Sequence, residues 1–502
     1  MAKTDIDCDL LIIGGGINGA GKARDAAGRG LHVCLVEQDD LAGHTSSAST
    51  KLIHGGLRYL EQGELRLVRE ALAERERLLA IAPHIIKPMR FVLPYVDGLR
   101  PRWLLRLGLF VYDHAGGRDK LAASTSTRLS GTSLGEPLKP ELTDGFEYSD
   151  CWVEDSRLVV LNALDAAERG ARILTRTRVT RAHSSDGMWT VTCQQQDGGS
   201  LAVRARALVN ATGAWVNELL TVMQITPRQH LRLVQGSHVV LRRQFEGNHA
   251  YLLQSPDRRV VFAIPFEEQY TLVGTTDLPF TGDPSRVVIA EAEQQYLLEC
   301  VNRFFKRSVT AADIVSTYSG VRPLFDDGSG GAAQQVSRDY HLELQQGAGA
   351  APVLTVYGGK ITTYRRLAEA ALALLLPTLG EAEDSRWTES EALPGGDLPD
   401  RDLPRFTAHS MQRWPGLPPA LVTRLARLYG TRMAQIVGGA QRLEDLGMNY
   451  GNDLTHAEVR YLVATEWARS AADILWRRTR LGLTATDSAV HQLQDAVAQL
   501  LR

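Results

Sequence analysis

Cysteine and net charge are two things that this sequence has little of. Five cysteines are scattered over 502 residues, with no C-x-x-C pair and no metal-ligand spacing, which argues against a disulfide framework and favours a reducing compartment. The 56 basic residues are balanced by 58 acidic ones, a formal net charge of -2. Bulk positive charge cannot hold such a protein on nucleic acid, so no nucleic-acid partner is expected and any anion recognition must be local.

Long apolar runs are also lacking. No uncharged apolar run reaches the roughly eighteen residues that a transmembrane helix needs. Residues Met1–Asp9 are polar and acidic, without the basic region and hydrophobic stretch of an export signal. We therefore expect a cytoplasmic protein that contacts a membrane only peripherally.

The order of apolar segments indicates an α/β domain. Leu10–Ile13 predicts a strand, the segment rich in small residues that ends at Gly30 predicts a helix, and His32–Val36 predicts a second strand. This βαβ opening is typical of a doubly wound fold. Later strands of the same domain are predicted at Ile173–Val179, Leu208–Ala211 and Leu354–Tyr357.

Other segments predict further domains, as the length of the chain also does. Residues 87–149 are irregular and contain several prolines, and 228–319 alternate like antiparallel strands. After a Pro/Gly linker the pattern is helical, with a capping box at Thr455 and Glu458 before a helix predicted to carry Trp467 and Ile474. The predicted ranges are 1–86, 150–227 and 320–385 for a discontinuous nucleotide domain, 87–149 and 228–319 for a substrate domain, and 397–502 for a C-terminal all-α domain.

A glycine-rich turn follows the first strand. Gly14, Gly16 and Gly19 match G-x-G-x-x-G between strand and helix, where the glycines let the backbone approach a pyrophosphate. Glu37 ends the second strand, where a carboxylate accepts a hydrogen bond from an adenosine ribose. The pattern predicts a dinucleotide site, and Glu37 disfavours a 2′-phosphate without separating NAD from FAD.

The segment after Glu37 favours the longer cofactor. Thr45–Lys51 supplies hydroxyls and a cation, which suit the pyrophosphate and flavin of FAD, whereas the alternative is a polar surface loop.

The run Ser46–Leu60 closely resembles the signature of FAD-dependent glycerol-3-phosphate dehydrogenases. Phe146–Cys151, Tyr318–Pro323 and Gly358–Tyr364 agree with the same family, and Asp473–Arg480 resembles the helical domain of its bacterial aerobic members. The agreeing stretches are spread over most of the chain.

The resemblance implies a fold, an activity and partners. The fold is a glutathione-reductase-type, Rossmann-like FAD/NAD(P)-binding domain with an antiparallel-sheet substrate domain and a C-terminal helical cap. The activity is oxidation of sn-glycerol 3-phosphate to dihydroxyacetone phosphate by hydride transfer to flavin N5. The implied electron acceptor is ubiquinone or menaquinone, and the implied state is a homodimer on the inner face of the cytoplasmic membrane.

Cofactor contacts are expected, from the resemblance and from the turns that follow the predicted strands, at Gly14, Gly16, Asn18, Gly19, Glu37, Thr45, Ser46, Ser47, Ser49, Lys51, Leu52, Val179, Ala211, Thr212, Gly213, Trp215, Gly359, Lys360, Ile361 and Thr362. Substrate contacts are expected at His54, Arg58, Tyr59, Thr276, Arg322 and Lys360.

His54 is the candidate base. Oxidation of a secondary alcohol removes a proton from oxygen and a hydride from carbon, and imidazole is the side chain most easily poised near neutral pH. The alternative is a neutral histidine whose ring nitrogens satisfy buried loop backbone, and the resemblance favours the catalytic role.

Three cations are candidates for anion recognition. Arg58 and Arg322 suit a phosphate dianion because guanidinium binds phosphate in a bidentate fork, and Arg322 is predicted to lie in a rigid turn between Gly320 and Pro323. Lys360 precedes a helix, where its ammonium and nearby N–H groups suit the pyrimidine edge of a flavin. Its alternative is the lysine of an ordinary strand-to-helix turn.

Two basic segments are candidates for lipid contact. Residues 99–110 mix three arginines with Trp, Leu and Phe, which suits either an interfacial helix on anionic lipid or a helix packed in the substrate domain with its arginines in water. The tract Arg477–Arg480 either adds to that contact or finishes a helix.

Three other functions remain as alternatives. A glycerol-3-phosphate oxidase shares the chamber residues but passes electrons to oxygen. An amine oxidase of the same superfamily needs a carboxylate-binding arginine, and the set Arg58, Arg322 and Lys360 argues against it. A flavin-stabilised binding protein without turnover leaves His54 and these cations unexplained.

Overall fold

The structure is a computed structural model that describes residues 5–60, 63–98, 100–117, 120–257, 259–326, 339–347, 349–381 and 386–502, with only the backbone described for Asp5 and Arg58. The strands are β1 Asp5–Ile13, β2 Val33–Val36, β3 Leu52–Ile53, β4 Ile86–Pro94, β5 Thr125–Arg128, β6 Asp144–Val153, β7 Arg172–Leu174, β8 Thr177–Ser185, β9 Met188–Gln195, β10 Ser200–Asn210, β11 His230–Arg242, β12 Ala250–Gln254, β13 Val260–Phe266, β14 Tyr270–Gly274, β15 Leu278–Pro279, β16 Ile314–Asp326, β17 His341–Gln345 and β18 Val353–Tyr357. The α-helices are α1 Ile17–Gly28, α2 Leu65–Ile81, α3 Arg102–Ala115, α4 Asp155–Glu168, α5 Val216–Val222, α6 Glu291–Phe304, α7 Tyr364–Leu379, α8 Leu403–Arg413, α9 Pro419–Tyr429, α10 Met433–Val437, α11 His456–Thr465 and α12 Asp487–Leu500.

The first sheet has the doubly wound pattern that the sequence predicts. Its strand order is β17-β18-β10-β1-β2-β7, with β9 and β8 added beside β10. The pairs β1–β2, β1–β10, β2–β7 and β10–β18 are parallel, whereas β9 and β17 pair antiparallel with β10 and β18. Leu10, Leu11 and Ile12 are fully buried, because layers cover both faces of the sheet and a parallel strand there must be apolar throughout. The predicted α/β fold class is confirmed.

The second sheet builds a chamber next to the first. It has ten strands in the order β15-β11-β14-β13-β12-β4-β6-β3, with β16 beside β11 and β5 beside β6. All its pairs are antiparallel except that of β12 with β4. The predicted boundary at residue 320 falls inside β16, which pairs with β11 along its length, so the division of the chain into domains stays a prediction.

The C-terminal region is helical and has its own apolar core, formed around Leu421, Leu425 and Leu462. Thr455 caps α11, with its hydroxyl accepting from the N–H of Glu458 at 3.4 Å, but the predicted capping box is only half formed, because the Glu458 carboxylate accepts from Arg424 and Tyr429 instead. The prediction that this helix carries Trp467 and Ile474 is wrong. α11 ends at Thr465 because Trp467 has a φ of 57°, in the left-handed region that a helix cannot contain. Ile474 lies in a separate π-helical turn, Asp473–Arg478.

Two other local predictions are corrected. Ile173–Val179 is not one strand, because Arg176 has a φ of 51° and separates β7 from β8. Arg322 does not lie in a turn: it is inside β16, an edge strand, where Pro323 is tolerated because its missing N–H breaks no ladder in the sheet interior. Among the described residues, none of the helices has both the length and the apolarity to cross a bilayer.

Candidate active site

The glycine turn places the N-terminus of α1 against a long cavity. Gly14 has a φ of 113°, and a Cβ there would stand 2.5 Å from the carbonyl oxygen of Ala211. A Cβ on Gly19 would stand 1.8 Å from the carbonyl oxygen of Gly14. Both positions therefore require glycine, and α1 directs its free N–H groups and the positive end of its dipole at the cavity.

Glu37 closes the end of the cavity at the tip of β2. Its Oε2 accepts from the N–H of Gly15 at 2.6 Å and its Oε1 from the N–H of Asp39 at 2.8 Å. Burial raises the pKa of this carboxyl, although the two N–H groups oppose that effect. The carboxylate is fixed where a ribose hydroxyl would donate to it.

The loop after Glu37 forms one wall of the cavity. The Oγ of Ser46 accepts from the N–H of Ile17 at 3.0 Å, and the hydroxyl of Thr45 donates to the carbonyl oxygen of Val321 at 2.7 Å. These bonds tie the loop to the start of α1 and to β16, so its backbone is set in place.

Three parallel strands end at the same cavity. Gly14 follows β1, Ala211 follows β10 and Gly358 follows β18, as expected for ligands bound at the carboxyl ends of strands. The amide nitrogen of Asn18 donates to the carbonyl oxygen of Gly358 at 3.1 Å. Its Oδ1 is buried and has no partner in the described residues, so it is available to a donor on a ligand.

These features fit FAD. A long cavity runs from Glu37 and Val179 past the glycine turn to Lys360. It offers an acceptor at the ribose end, a helix N-terminus in the middle and a second run of backbone at the flavin end, where Ile361–Thr363 form a short 3₁₀ helix before α7.

Most of the predicted cofactor residues are brought together there. The cavity is lined by Gly14, Gly16, Asn18, Glu37, Thr45, Ser46, Ser49, Leu52, Val179, Ala211, Thr212, Gly213, Trp215, Gly359, Lys360, Ile361 and Thr362. Gly19, Ser47 and Lys51 stand behind this lining: Gly19 packs helix against strand, and the hydroxyl of Ser47 donates to the carbonyl oxygen of His44 at 3.0 Å.

Lys51 faces away from the cavity, into a buried ion cluster. Its Nζ lies 2.9 Å from a carboxylate oxygen of Asp155 and 2.9 Å from the carbonyl oxygen of Ser47. Asp155 also accepts from Ser49 at 2.7 Å and from Arg480 at 2.5 Å. Lys51 and Arg480 thus fix the cavity loop rather than bind at the cavity surface.

A second cavity, of about 720 Å³, joins the first. The two share Thr50, His54, Tyr59 and Arg322 in their linings. At this junction the Lys360 ammonium lies 4.0 Å from the centre of the Tyr59 ring. The rings of His54 and Phe262 are arranged edge to face, with their centres 6.4 Å apart. The predicted base and two predicted cations therefore meet where the two cavities join.

Arg322 crosses the floor of the junction. Its Nη2 donates to the Thr275 hydroxyl at 2.9 Å and to the Thr276 carbonyl oxygen at 3.0 Å, and its Nη1 is paired with Asp277. A Cβ on Gly236 would stand 1.8 Å from Nη2, so glycine at that position in β11 makes room for the guanidinium.

Two predicted substrate residues are not seen at the junction. The side chain of Arg58 lies outside the described residues. Thr276 is buried: its hydroxyl donates to Glu293 at 2.5 Å and accepts from the N–H of Ser237 at 2.9 Å. Its neighbours Thr275 and Asp277 line the second cavity instead.

Sequence reasoning noted Asp277 only within the segment Gly274–Asp277, predicted to close a strand of the substrate domain and to help shape the pocket, and it did not single out Asp155. The pairing of Asp277 with Arg322 and of Asp155 with Lys51 was missed. Lipid contact by Arg480 is ruled out, because its guanidinium is buried against Glu154 and Asp155. The helix-end alternative for the tract holds for Arg477 and Arg478, which lie in the last turn of the π-helical segment Asp473–Arg478.

Comparisons with known proteins agree with this geometry. Residues 9–365 match the FAD dependent oxidoreductase family, and 386–502 match the C-terminal domain of alpha-glycerophosphate oxidase. The chain is 53% identical to a glycerol-3-phosphate dehydrogenase of Pseudomonas tolaasii, over 98% of this chain and 95% of that one. It is 51% identical to a D-erythritol 1-phosphate dehydrogenase of Brucella abortus, over 96% of each.

A solved structure is similar over the whole chain. The glycerol-3-phosphate dehydrogenase of Bacillus halodurans complexed with FAD superposes with a TM-score of 0.77 and 27% identity, covering 98% of this chain and 90% of that one. The chain belongs to the FAD-dependent glycerol-3-phosphate dehydrogenase family.

Proposed function

We propose that the chain oxidises sn-glycerol 3-phosphate to dihydroxyacetone phosphate at the junction of the two cavities and passes the electrons to a membrane quinone. FAD, when bound, supplies the acceptor for the hydride. The observation that carries the proposal is that His54 and Arg322 line both cavities, while Lys360, in the lining of the first cavity, lies against Tyr59, which both cavities also share.

Each residue at the junction is proposed to have a separate role in the reaction. His54 is proposed to take the hydroxyl proton, since imidazole titrates near neutral pH. Arg322 is proposed to bind the phosphate, with Arg58 as a second candidate. The pairing of Arg322 with Asp277 holds the Arg322 guanidinium in one orientation, so that its N–H donors are already ordered when a phosphate binds. Lys360 is proposed to stabilise negative charge at the flavin end of the first cavity.

The quinone and membrane parts rest on helix α3. Trp103, Leu104, Leu107 and Phe110, called here the α3 patch, are exposed, at 68% for Trp103 and 54% for Phe110. Arg106 donates to the Ser124 hydroxyl at 3.1 Å and Arg102 lies 3.5 Å from Asp144, although both arginines stay exposed. A contiguous exposed apolar face of this kind marks an interaction surface, which supports the interfacial helix over one with only its arginines in water.

The α3 patch also borders the second cavity. Leu104 and Leu107 are both exposed and part of the cavity lining, so the apolar wall of the cavity reaches the surface at the patch. A quinone held in lipid would enter here without crossing water. We propose peripheral attachment to the inner face of the cytoplasmic membrane on this basis, and the homodimer stays a prediction to be checked by light scattering.

A second substrate is favoured by the size of the second cavity. At about 720 Å³ it falls in the range that encloses drug-sized ligands, which exceeds the needs of a three-carbon phosphate. A four-carbon polyol phosphate such as D-erythritol 1-phosphate, the substrate named for one relative, would fit the same clamp. Comparison of kcat/KM for the two phosphates decides which is preferred.

The proposal is tested by measuring the product, dihydroxyacetone phosphate, and the reduction of the electron acceptor in the same reaction. Purified protein is incubated with sn-glycerol 3-phosphate and a soluble quinone analogue, with and without oxygen, and dihydroxyacetone phosphate is measured enzymatically. Product formed in step with quinone reduction and independent of oxygen supports the dehydrogenase. Product accompanied by equal peroxide, with the quinone unused, indicates the oxidase. Absence of product rejects the substrate.

A further inference from the structure

The backbone beside the candidate base is held by a buried tyrosine. The N–H of Gly55 donates to the hydroxyl of Tyr112 at 2.8 Å and lies 3.4 Å from Oδ1 of Asp150. A Cβ on Gly55 would stand 2.4 Å from Leu72 and 2.8 Å from the Tyr112 ring. The loop that carries His54 is therefore pressed against α2 and α3 and fixed by a hydrogen bond.

The tyrosine is fixed in turn by a buried ion pair. Its hydroxyl lies 2.8 Å from both carboxylate oxygens of Asp150, and Arg75 donates to Oδ1 of Asp150 at 2.9 Å and to the carbonyl oxygen of Ser149 at 2.9 Å. Burial raises the pKa of Tyr112 well above its ordinary value, so the phenol keeps its proton. That proton is donated to Asp150, and an oxygen lone pair is left for Gly55.

We propose that Tyr112 and Asp150 are positioning residues for the dehydrogenation, which hold the His54–Gly55 backbone so that the imidazole reaches the substrate hydroxyl. This inference rests on the proposed function. It gives a role to Asp150 of the Phe146–Cys151 stretch, for which sequence reasoning found none. Because Tyr112 belongs to α3, Asp150 to β6 and Arg75 to α2, three separate elements fix the loop.

The effect of the bond on rate follows from geometry. The N–H of His54 also donates to the Thr362 hydroxyl at 3.3 Å, a longer contact than the 2.8 Å bond from Gly55 to Tyr112. Loss of the Tyr112 hydroxyl would leave the Gly55 N–H with only the distant Asp150 oxygen. A displacement of about 1 Å in a reacting group costs on the order of 100-fold in rate, whereas the Arg322 side of the site would be unchanged.

The test is Tyr112→Phe, which keeps the ring and removes only the hydroxyl. In anaerobic stopped-flow mixing with sn-glycerol 3-phosphate, we expect the limiting rate of flavin bleaching to fall about 10- to 100-fold, with the substrate dissociation constant changed less than about threefold. Hydrogen exchange should show faster exchange confined to the peptide that contains Gly55. Asp150→Asn, which keeps the side-chain size, should likewise lower the limiting rate of bleaching while leaving the substrate dissociation constant nearly unchanged.

The matched control is Tyr251→Phe. Tyr251 is buried in β12 of the second sheet, its hydroxyl donates to the Leu134 carbonyl oxygen at 2.7 Å, and it is absent from the lining of both cavities. Wild-type bleaching rates in Tyr112→Phe, or an equal loss in Tyr251→Phe, overturn the inference. Absence of bleaching in the wild type would instead reject the proposed function, so the two failures are distinct.

Discussion

At the scale of single residues, Arg322 shows how a near-neutral protein meets a phosphate. The guanidinium is held by Asp277, Thr275 and the carbonyl oxygen of Thr276. These contacts already restrict the Arg322 side chain before the substrate binds, so that less conformational entropy is lost on binding. Identifying Arg322 was possible from the sequence, but its strand position and its acidic partner were not, because both depend on the pairing of β16 with β11.

Arg322→Ala should raise KM for sn-glycerol 3-phosphate by about 10- to 100-fold, the range expected for lost hydrogen bonds to a charged group. FAD should stay bound, because the contacts of the glycine turn and of the Glu37 carboxylate are untouched. Initial rates and the flavin content per chain measure the two quantities.

The control for this change is Arg259→Ala. Arg259 is also paired with an aspartate of the substrate sheet region, Asp257 at 2.6 Å, but it is absent from the lining of both cavities. Its KM should match that of the wild type. An unchanged KM in Arg322→Ala would remove Arg322 from the phosphate site.

At the scale of helices and strands, the local sequence pattern predicted those elements whose formation depends on neighbouring residues in the chain. The apolar run of β1 and the small residues of α1 identified the nucleotide-binding fold, because burial of a strand and close packing of a helix both require particular residue types at consecutive positions. Two of the errors fall at Arg176 and Trp467, where residues other than glycine take a positive φ. Such positions are set by tertiary packing, which overrides the local preference.

Helix α3 carries a prediction of its own. Replacing Trp103 and Phe110 together by Glu should lower binding to anionic lipid vesicles at least about tenfold, because each buried apolar side chain contributes on the order of 1.5–3 kcal/mol. Bleaching by substrate without lipid should not change, since neither residue lines the second cavity. Vesicle flotation measures the binding.

Met448→Glu is the matched control for the patch. Met448 is 54% exposed and belongs to the C-terminal region rather than to α3. Vesicle binding by this variant should equal that of the wild type. If the Trp103 and Phe110 variant still floats with vesicles, α3 is not the lipid contact.

At the scale of the whole molecule, buried ion pairs join the C-terminal region to the FAD-binding part. Arg478 pairs with Asp40 at 2.8 Å, and Arg480 pairs with Glu154 at 2.7 Å and Asp155 at 2.5 Å. Asp155 in turn holds the cavity loop through Ser49 and Lys51. Sequence reasoning could not find these pairs, because nothing local in the chain links the two partners.

These pairs predict acid sensitivity. Burial alone would raise the pKa of Glu154, but Arg480 and neighbouring cations lower it to about 2, and Arg478 and Arg477 likewise lower the pKa of buried Asp40. In the unfolded chain such carboxyls titrate near pH 4. The stability that they contribute is therefore complete above about pH 5 and is lost as the pH falls toward 2.

Arg480→Met should destabilise the protein by about 3–5 kcal/mol, because it leaves Glu154 and Asp155 buried with fewer partners, and should speed FAD release. Its melting temperature should also depend less on pH between 5 and 3. Thermal unfolding followed by flavin fluorescence measures both effects. Arg405→Ala, which breaks an exposed pair with Asp400, should change stability by less than about 1 kcal/mol; equal losses in the two variants would contradict the role of the buried pairs.

The proposed oxidation of a polyol phosphate through FAD can be tested in one experiment. In it, sn-glycerol 3-phosphate is added anaerobically to the purified flavoprotein and the flavin absorbance band is followed, with glycerol and a D-amino acid as controls. We expect bleaching by the phosphate ester alone, reversed faster by a quinone analogue than by air. Bleaching by the amino acid, or by neither compound, would contradict it.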